Sequence, residues 1–281
     1  MRPRLGWALR EAGRATSPLR VLPEFLVVGG QRCGTTSLHR ALRQHPAVVD
    51  ATLRKGVHFF DLKYGKGLAW YRGHFPLDVA VRVRSSRLGQ RVIAGESSPY
   101  YMFHPLAPER FSRDLPAVKV IAMLRDPVER AYSAHAHETV RGFESLPFAQ
   151  AIAAEEGRLK GEVERLRSDP GYVSQAHQHN AYVSRGRYVE QLTAMETYLG
   201  RDRIHVVDSH QFFADPHGVV ADTLAFLGLD PDAPIDARRH NERPRAAMDP
   251  RLRADLEQMF ADSDAALERW WGRRPGWLVG R

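Results

Sequence analysis

FLVVGGQRCGTTSLHRAL, residues 25–42, joins a short apolar run to a glycine-rich turn and then to a segment with helical periodicity. We predict a buried strand over residues 25–29 and a helix that Thr35 or Thr36 opens. The N–H groups of such a loop and the N-terminus of the helix together favour an anion, and the hydroxyls of Thr35, Thr36 and Ser37 can add donors. The alternative is a tight strand-to-helix turn that needs only its glycines.

The loop has the glycine spacing of a triphosphate-binding loop but lacks its lysine. Such a loop reads G-x-x-x-x-G-K-[ST], and Gly29 and Gly34 have the matching separation. Thr35 occupies the lysine position, whereas Arg32 lies inside the loop and can bind an oxyanion through two N–H groups. A P-loop kinase or NTPase therefore remains an alternative, although this sequence lacks the lysine that such an enzyme requires.

Further apolar runs indicate the fold class. They predict strands at residues 92–94, 118–124 and 204–207, and apolar residues at helical spacing predict helices over 188–199 and 252–267. Strands that alternate with helices predict an α/β, P-loop-like three-layer fold with a central parallel β-sheet flanked by helices. We expect a basic N-terminal tail over residues 1–24 and a single domain over residues 25–281.

Composition restricts the partners and the compartment. The formal net charge is +8, but acidic residues are interspersed with the basic ones outside the N-terminal tail, so we consider nucleic acid an unlikely partner. No apolar run is long enough for a membrane helix, and the N-terminus has no apolar signal-peptide core. The single cysteine, Cys33, excludes an intrachain disulfide. We therefore expect a cytoplasmic protein, and its oligomeric state stays open.

Polar residues follow three of the predicted strands. In open α/β sheets the ligand lies beyond the carboxyl ends of the strands, where residues 30–36, 96–98 and 125–126 should meet. In LRDPVERAYS, residues 124–133, Arg125 leaves a strand and Ser133 lies on the following helix, so the two could bind a second phosphate. The alternative for Arg125 is an ion pair with Asp126 or Glu129 at the helix start.

Two anion sites at neighbouring strand ends suit a nucleotide with two separated phosphate groups. GGQRCGTTSL and VIAMLRDPVERAYS resemble the 5′-phosphosulfate and 3′-phosphate motifs of sulfotransferases that use PAPS, 3′-phosphoadenosine 5′-phosphosulfate. VHFFD, GESSPYY and SRGRYVEQL are most similar to the branch that contains the heparan sulfate N- and 3-O-sulfotransferases. The resemblance runs from Phe25 to the C-terminal helix.

The resemblance implies a set of residues that bind PAPS or its product PAP. The loop would hold the 5′-phosphosulfate, Arg125 and Ser133 the 3′-phosphate, and a basic loop would close over the donor. The implied donor-binding residues are Gly30, Gln31, Arg32, Cys33, Gly34, Thr35, Thr36, Ser37, Arg125, Ser133, Arg243 and Arg245.

Three positions depart from the pattern of that branch. The branch usually has lysine at Arg32, a glutamate that activates the acceptor at Gly56, and a lysine at Ser97. Arginine keeps the charge but transfers a proton poorly, so we assign Arg32 to stabilising charge on the leaving oxygen.

A general base must therefore be sought at other residues. His58 is the first candidate, because imidazole titrates near neutral pH, and its alternative is a histidine fixed in an aromatic cluster. Glu96 is the second candidate; it could instead orient Arg32 or a backbone amide.

We predict that His58, Trp70, Tyr71 and Ser98 contact the acceptor, although the two aromatic residues could equally be core. The pairs His135/His137 and His177/His179 lack a third ligand, so we predict no metal site. The predicted reaction is sulfuryl transfer from PAPS to a hydroxyl or amine of a carbohydrate, glycolipid or secondary metabolite. A PAP-binding protein with impaired catalysis is the other alternative.

Overall fold

A five-stranded parallel sheet forms the centre of the molecule. The structure, a computed structural model, describes residues 11–52, 56–236 and 247–279. The strands in chain order are β1 (Phe25–Gly29), β2 (Val48–Asp50), β3 (Ile93–Ser97), β4 (Lys119–Leu124) and β5 (Ile204–Asp208). Their spatial order is β2-β3-β1-β4-β5, and every neighbouring pair is parallel. The predicted α/β class is confirmed, and β2 is a strand that the sequence did not predict.

Helices cover both faces of this sheet. They are α1 (Thr35–Leu42), α2 (Phe59–Leu62), α3 (Leu68–Arg72), α4 (Asp78–Leu88), α5 (Ala107–Asp114), α6 (Pro127–Val140), α7 (Phe148–Leu159), α8 (Glu162–Ser168), α9 (Gln175–His179), α10 (Tyr188–Leu199), α11 (Ser209–Ala214), α12 (Pro216–Leu227) and α13 (Pro250–Trp271).

The side chains of β1 alternate between two apolar layers. Leu26 and Val28 pack on one face of the sheet with residues of α2, α5 and α10. Phe25 and Val27 pack on the other face with residues of α1 and α12. Because successive side chains of a strand point to opposite faces, a strand buried on both sides reads as one continuous apolar run.

The sheet register brings the predicted polar clusters to one edge. Gly29, the last residue of β1, is level with Met123 near the end of β4, and Val27 is level with Ser97, the last residue of β3. The residues that leave these three strands therefore start from adjacent points.

Residues 11–24, the described part of the expected tail, contact the rest of the chain. Residues 11–15 are helical. Arg20 pairs with Leu77 in an isolated antiparallel bridge, and its guanidinium donates to the carbonyl of Phe75 at 2.5 Å.

Candidate active site

The loop after β1 has an unusual backbone. Gly29 and Gly34 have φ values of 144° and 98°, and a Cβ on Gly29 would lie 2.2 Å from the carbonyl oxygen of Met123. Arg32 also has a positive φ, 75°, which strains a residue other than glycine. Gly34 is the N-cap of α1. The loop thus forms a tight turn that leads directly into the N-terminus of α1, and this arrangement agrees with the predicted anion site.

Arg32, Arg125 and Ser133 meet beyond the ends of β1 and β4. Arg32 Nε donates to Ser133 Oγ at 3.2 Å, and Arg125 Nη1 donates to the carbonyl of Arg32 at 3.3 Å. Arg32 is 93 positions from Arg125 and 101 from Ser133 in sequence, yet two cations and a hydroxyl converge on one edge of the sheet. Such a cluster can hold an oxyanion.

The alternative partner of Arg125 is also present. Its guanidinium lies 3.6 Å from Glu129, one turn along α6, and Glu129 also pairs with Arg253. The side chains of Arg125 and Glu129 are 27% and 25% exposed, so the pair is partly buried, and its 3.6 Å separation is longer than a hydrogen bond.

The inner side of the loop is packed. The Cys33 thiol is buried, its Sγ lies 3.8 Å from the hydroxyl of Tyr188, and burial raises its pKa. The Tyr188 hydroxyl in turn donates to the carbonyl of Arg125 at 2.8 Å. Thr35 and Ser37 are also buried. Cys33 therefore faces the core, and only its backbone can contact a ligand in this conformation.

His58 and Asp61 form a hydrogen-bonded pair at the start of α2. His58 Nδ1 lies 2.8 Å from Asp61 Oδ2, and the His58 side chain is 36% exposed while that of Asp61 is fully buried. Burial alone would lower the pKa of His58, but the hydrogen bond and charge of Asp61, with the charge of Glu96, outweigh it and raise that pKa above its usual value. A ring oriented in this way can accept a proton at Nε2.

Gly56 lies against His58 and the end of β3. A Cβ on Gly56 would stand 2.6 Å from the carbonyl oxygen of Ser97 and 3.5 Å from His58 Nε2. A residue with a side chain at position 56 would thus require a backbone shift. The His58 ring nitrogen faces the space from which such a side chain would start.

Glu96 is fully buried and accepts four hydrogen bonds. The hydroxyls of Tyr71 and Tyr101 donate to Oε1, and the Val57 amide and the Ser98 hydroxyl donate to Oε2, all at 2.8 Å. Burial raises the pKa of Glu96, although these donors oppose the shift. The geometry favours the alternative in which Glu96 orients a backbone amide, because an acceptor cannot reach a carboxylate without exposed surface.

The residues predicted to contact the acceptor differ in accessibility. Tyr71 and Ser98 have no exposed surface, and Trp70 keeps only 8%. The Ser98 hydroxyl accepts a hydrogen bond from the His58 amide at 3.1 Å, so Ser98 positions the backbone of His58. Direct acceptor contact by Tyr71 or Ser98 does not fit this conformation, and the packing interpretation of the aromatic residues is favoured. His58 is the accessible member of the set.

The histidine pairs have separate partners. His177 Nδ1 lies 2.7 Å from the Tyr100 hydroxyl, whereas His179 Nδ1 lies 3.0 Å from Glu138. Within the described residues, no group of three or more His, Cys, Asp or Glu side chains is arranged to hold a metal ion. Arg243 and Arg245, the predicted basic-loop residues, lie outside the described residues.

The comparison with known families shows which family the chain belongs to. The model of a family described as the sulfotransferase domain matches residues 22–243. This chain belongs to the sulfotransferase domain family. Membership implies an enzyme that transfers a sulfuryl group with PAPS as co-substrate.

Individual sulfotransferases support the assignment. A sulfotransferase from Alicyclobacillus acidocaldarius, known from its crystal structure, is 31% identical with a TM-score of 0.66, over 90% of this chain and 97% of that one. Mouse heparan sulfate glucosamine 3-O-sulfotransferase 6 is 33% identical over 75% of this chain and 53% of its own length. The human heparan sulfate glucosamine 3-O-sulfotransferase 5 is 28% identical over 81% of this chain and 60% of its own length. This sulfotransferase chain therefore spans little more than half the length of these curated relatives.

Some contacts of the candidate site residues were not predicted. Asp61 follows His58 by three positions, a helical spacing that could have indicated a pair. Gln31, predicted to bind the donor, turns its side chain inward to Glu138 and Arg185. No local pattern indicates those contacts, because they join positions more than a hundred residues apart.

Within the described residues, no helix has the length and hydrophobicity to cross a bilayer.

Proposed function

We propose that this sulfotransferase moves the sulfuryl group of PAPS to a hydroxyl or amine of a carbohydrate, glycolipid or secondary metabolite and releases PAP. The observation that carries the donor assignment is the convergence of Arg32, Arg125 and Ser133 beside the glycine-rich loop. The 3-O-sulfotransferases among its relatives are named for a heparan sulfate glucosamine acceptor, which makes a carbohydrate the first class to test.

The donor would be bound by charge and by backbone amides. The loop amides and the start of α1 face the 5′-phosphosulfate, and Arg125 with Ser133 takes the 3′-phosphate. Arg32 belongs to the loop and contacts Ser133, and it would supply a fixed positive charge to the oxygen that leaves when the sulfur–oxygen bond breaks. Catalysis then depends on positioning and charge neutralisation, as in phosphoryl transfer.

His58 is the general base of the proposal. The acceptor oxygen or nitrogen forms a bond to sulfur while its proton passes to His58 Nε2, and the electron pair of the broken bond stays on PAP. Asp61 accepts from Nδ1, which fixes the tautomer that leaves Nε2 able to take the proton. Glu96 holds the Val57 amide and the Ser98 hydroxyl, so it acts as a positioning residue.

Nucleotide binding without magnesium tests the donor assignment. We expect PAP to raise the melting temperature by several degrees in the presence of a chelator and ATP to leave it unchanged. Arg125→Met should abolish the PAP shift, whereas Arg113→Met should keep it, because Arg113 is an exposed arginine of α5 away from the loop. A shift with ATP and none with PAP would contradict the proposal.

Acceptor identity requires a direct search. Incubation of the protein with ³⁵S-labelled PAPS and fractionated carbohydrate, glycolipid and metabolite pools should label one class. If PAP binds and no class is labelled, the protein is a PAP-binding protein without turnover, and the catalytic part of the proposal fails.

A further inference from the structure

The carboxamide of Gln31 is held at both of its ends. Its Nε2 donates to Glu138 Oε1, and its Oε1 accepts from Arg185 Nη1 at 3.3 Å. Gln31 immediately precedes Arg32, the residue of the loop with the strained backbone. The side chain therefore runs from the anion-binding loop into the protein interior.

Glu138 is itself fixed by several donors. It lies on α6, five residues after Ser133, has no exposed surface, and accepts from Arg141 at 3.1 and 3.2 Å and from His179 at 3.0 Å. Burial alone would raise its pKa, but the donors outweigh burial and lower it, so the carboxylate is ionised at neutral pH. Its charge-assisted bond to the amide is stronger than a neutral one.

Arg185 holds the other end from a different segment. It is buried, with 4% of its surface exposed, and donates through Nη2 to the carbonyls of His177 and Gln178 at 2.8 and 3.0 Å. Its guanidinium also stacks over the rings of Tyr100 and Phe103, at 5.1 and 4.8 Å. Burial lowers the pKa of Arg185 to about 10, which leaves it charged at neutral pH.

A loop that binds an anion through its amides needs such support. The left-handed conformation of Arg32 is unfavourable for a residue other than glycine, and amides aimed at one point are not otherwise favoured in a short loop. Two buried, charged partners at the two ends of one side chain restrict the position of the residue before the strained one.

We propose that Gln31, Glu138 and Arg185 form an anchor that holds the phosphosulfate loop in its anion-binding conformation. The three act as positioning residues and need no contact between their side chains and the donor. The inference rests on the proposed function, because it assigns the loop to the 5′ end of PAPS. It also links the loop to α6, which carries Ser133 of the 3′-phosphate site.

Comparison of two nucleotides distinguishes a loss of the anchor from a general loss of stability. PAP carries both phosphates and 3′-AMP only the 3′-phosphate, so the dissociation constant for 3′-AMP divided by that for PAP measures the contribution of the loop. Gln31→Met keeps the length of the side chain and removes both hydrogen bonds. We expect titration calorimetry to show that this ratio falls about tenfold while the dissociation constant for 3′-AMP stays within twofold.

Gln44→Met is the matched control. The Gln44 carboxamide is also held at both ends, by the carbonyl and the amide of Asp236, and it lies beyond the end of α1 opposite the loop, so the ratio should stay unchanged. A Gln31→Met variant with an unchanged ratio, or with equal losses for both nucleotides, would overturn the anchor.

A charge exchange provides a second measurement if Gln31→Met folds poorly. Gln31→Glu places a second carboxylate beside Glu138 and should lower the ratio, whereas the double variant Gln31→Glu/Glu138→Gln restores a donor and an acceptor and should recover it to within threefold. Absence of recovery contradicts the proposal. If wild-type protein binds PAP no better than 3′-AMP, the proposed function fails first, and that result is distinct from a failure of the anchor alone.

Discussion

At the residue scale, His58 combines a strained backbone with an oriented ring. Its φ of 55° and ψ of 46° lie in the left-handed region, which costs about 1 kcal/mol for a residue other than glycine. The conformation allows the His58 amide to reach Ser98 while its ring reaches Asp61. Strain of this kind persists where the surroundings impose it, and here the surroundings are the proposed catalytic site.

Replacement of the imidazole tests the proposed base. We expect His58→Ala to lower kcat by about 100-fold or more, which is the usual contribution of a general base, and to change the dissociation constant for PAP less than twofold. Steady-state kinetics with the acceptor found by labelling would measure the first value and calorimetry the second. An unchanged kcat would exclude His58 as the base.

The pH dependence should report the Asp61 contact. Activity rises with pH as His58 loses its proton, and the raised pKa of His58 places this rise above the usual histidine range. Asp61→Asn removes the charge that raises the pKa, so the rise should move to lower pH while the maximal rate falls because the ring orientation is less well fixed. A profile of kcat/KM against pH for both proteins would measure the shift and the loss of maximal rate. A pH profile that does not move would mean that Asp61 only packs.

Gly56 is expected to tolerate no side chain. The Cβ of Gly56→Ala would lie 2.6 Å from a backbone oxygen of Ser97, so we expect a loss of about 1 to 3 kcal/mol in the free energy of unfolding. Gly65→Ala is a suitable comparison, because a Cβ there meets no atom within 4 Å. Urea denaturation of both variants would measure the difference, and equal stabilities would show that the segment at Gly56 can move away from the end of β3.

The sequence predicted the convergence of Arg32, Arg125 and Ser133 better than the surroundings of Glu96. Arg32, Arg125 and Ser133 follow from loop spacing and strand order, both of which are local patterns. The burial of Glu96 does not follow, because its donors Tyr71 and Tyr101 come from separate segments and meet only in the folded core. A strand-end carboxylate looks the same in sequence whether it faces a cleft or a set of buried hydroxyls.

At the element scale, three helices begin with the same pair of residues. Asp126, Asp215 and Asp249 each precede a proline, and each side chain accepts from backbone amides in the first turn of α6, α12 or α13. The proline suits the first helical position and the carboxylate satisfies amides that have no partner in the helix. Capping of this kind fixes where α6 starts and therefore where Ser133 lies.

Loss of the α6 cap should affect the donor site as well as stability. Asp126→Ala and Asp215→Ala should each lower the free energy of unfolding by about 1 kcal/mol. Only Asp126→Ala should also weaken PAP binding, by several-fold, since α6 carries Ser133 of the proposed donor site and α12 carries none of the proposed donor residues. Calorimetric titration of both variants distinguishes the effects, and equal affinities would show that the cap does not position Ser133.

Strand prediction succeeded where runs were long and apolar. The runs at β1, β4 and β5 predicted those strands, whereas the run at residues 92–94 predicted only the start of β3, which extends over Ile93–Ser97. The three residues of β2 were missed because Val48 and Val49 are too few to show a period, and their strand conformation depends on pairing with Ile93 and Ala94 of β3. An edge strand this short is determined by its neighbour.

At the scale of the whole molecule, buried carboxylates link stability to pH. Glu144 accepts from Arg158 at 2.6 Å, from the Leu146 amide at 2.9 Å and from the Tyr182 hydroxyl at 3.0 Å. Burial would raise its pKa, but these donors outweigh burial and lower the pKa to about 2. A depressed folded-state pKa contributes stability above the unfolded value, and that stability is lost as pH falls toward 2.

The stability difference between wild type and Glu144→Gln should therefore depend on pH. We expect the variant to be less stable by about 2 to 4 kcal/mol at pH 7, because Arg158 and Tyr182 lose an ionised partner, and the difference to shrink as pH falls from about 4.5 to 2. Urea titrations at several pH values would measure it. A difference that stays constant down to acid pH would contradict the lowered pKa of Glu144.

The chain's only cysteine is buried next to the proposed donor loop, so its reactivity can report movement of that loop. Cys33 lies behind the loop with no exposed surface, so a thiol reagent can modify it only when the loop moves away from Tyr188. The rate of thiol modification therefore measures how often the loop opens in the native protein, without an introduced label. PAP should slow that rate in proportion to site occupancy, so one natural sulfur atom can report on binding at the loop.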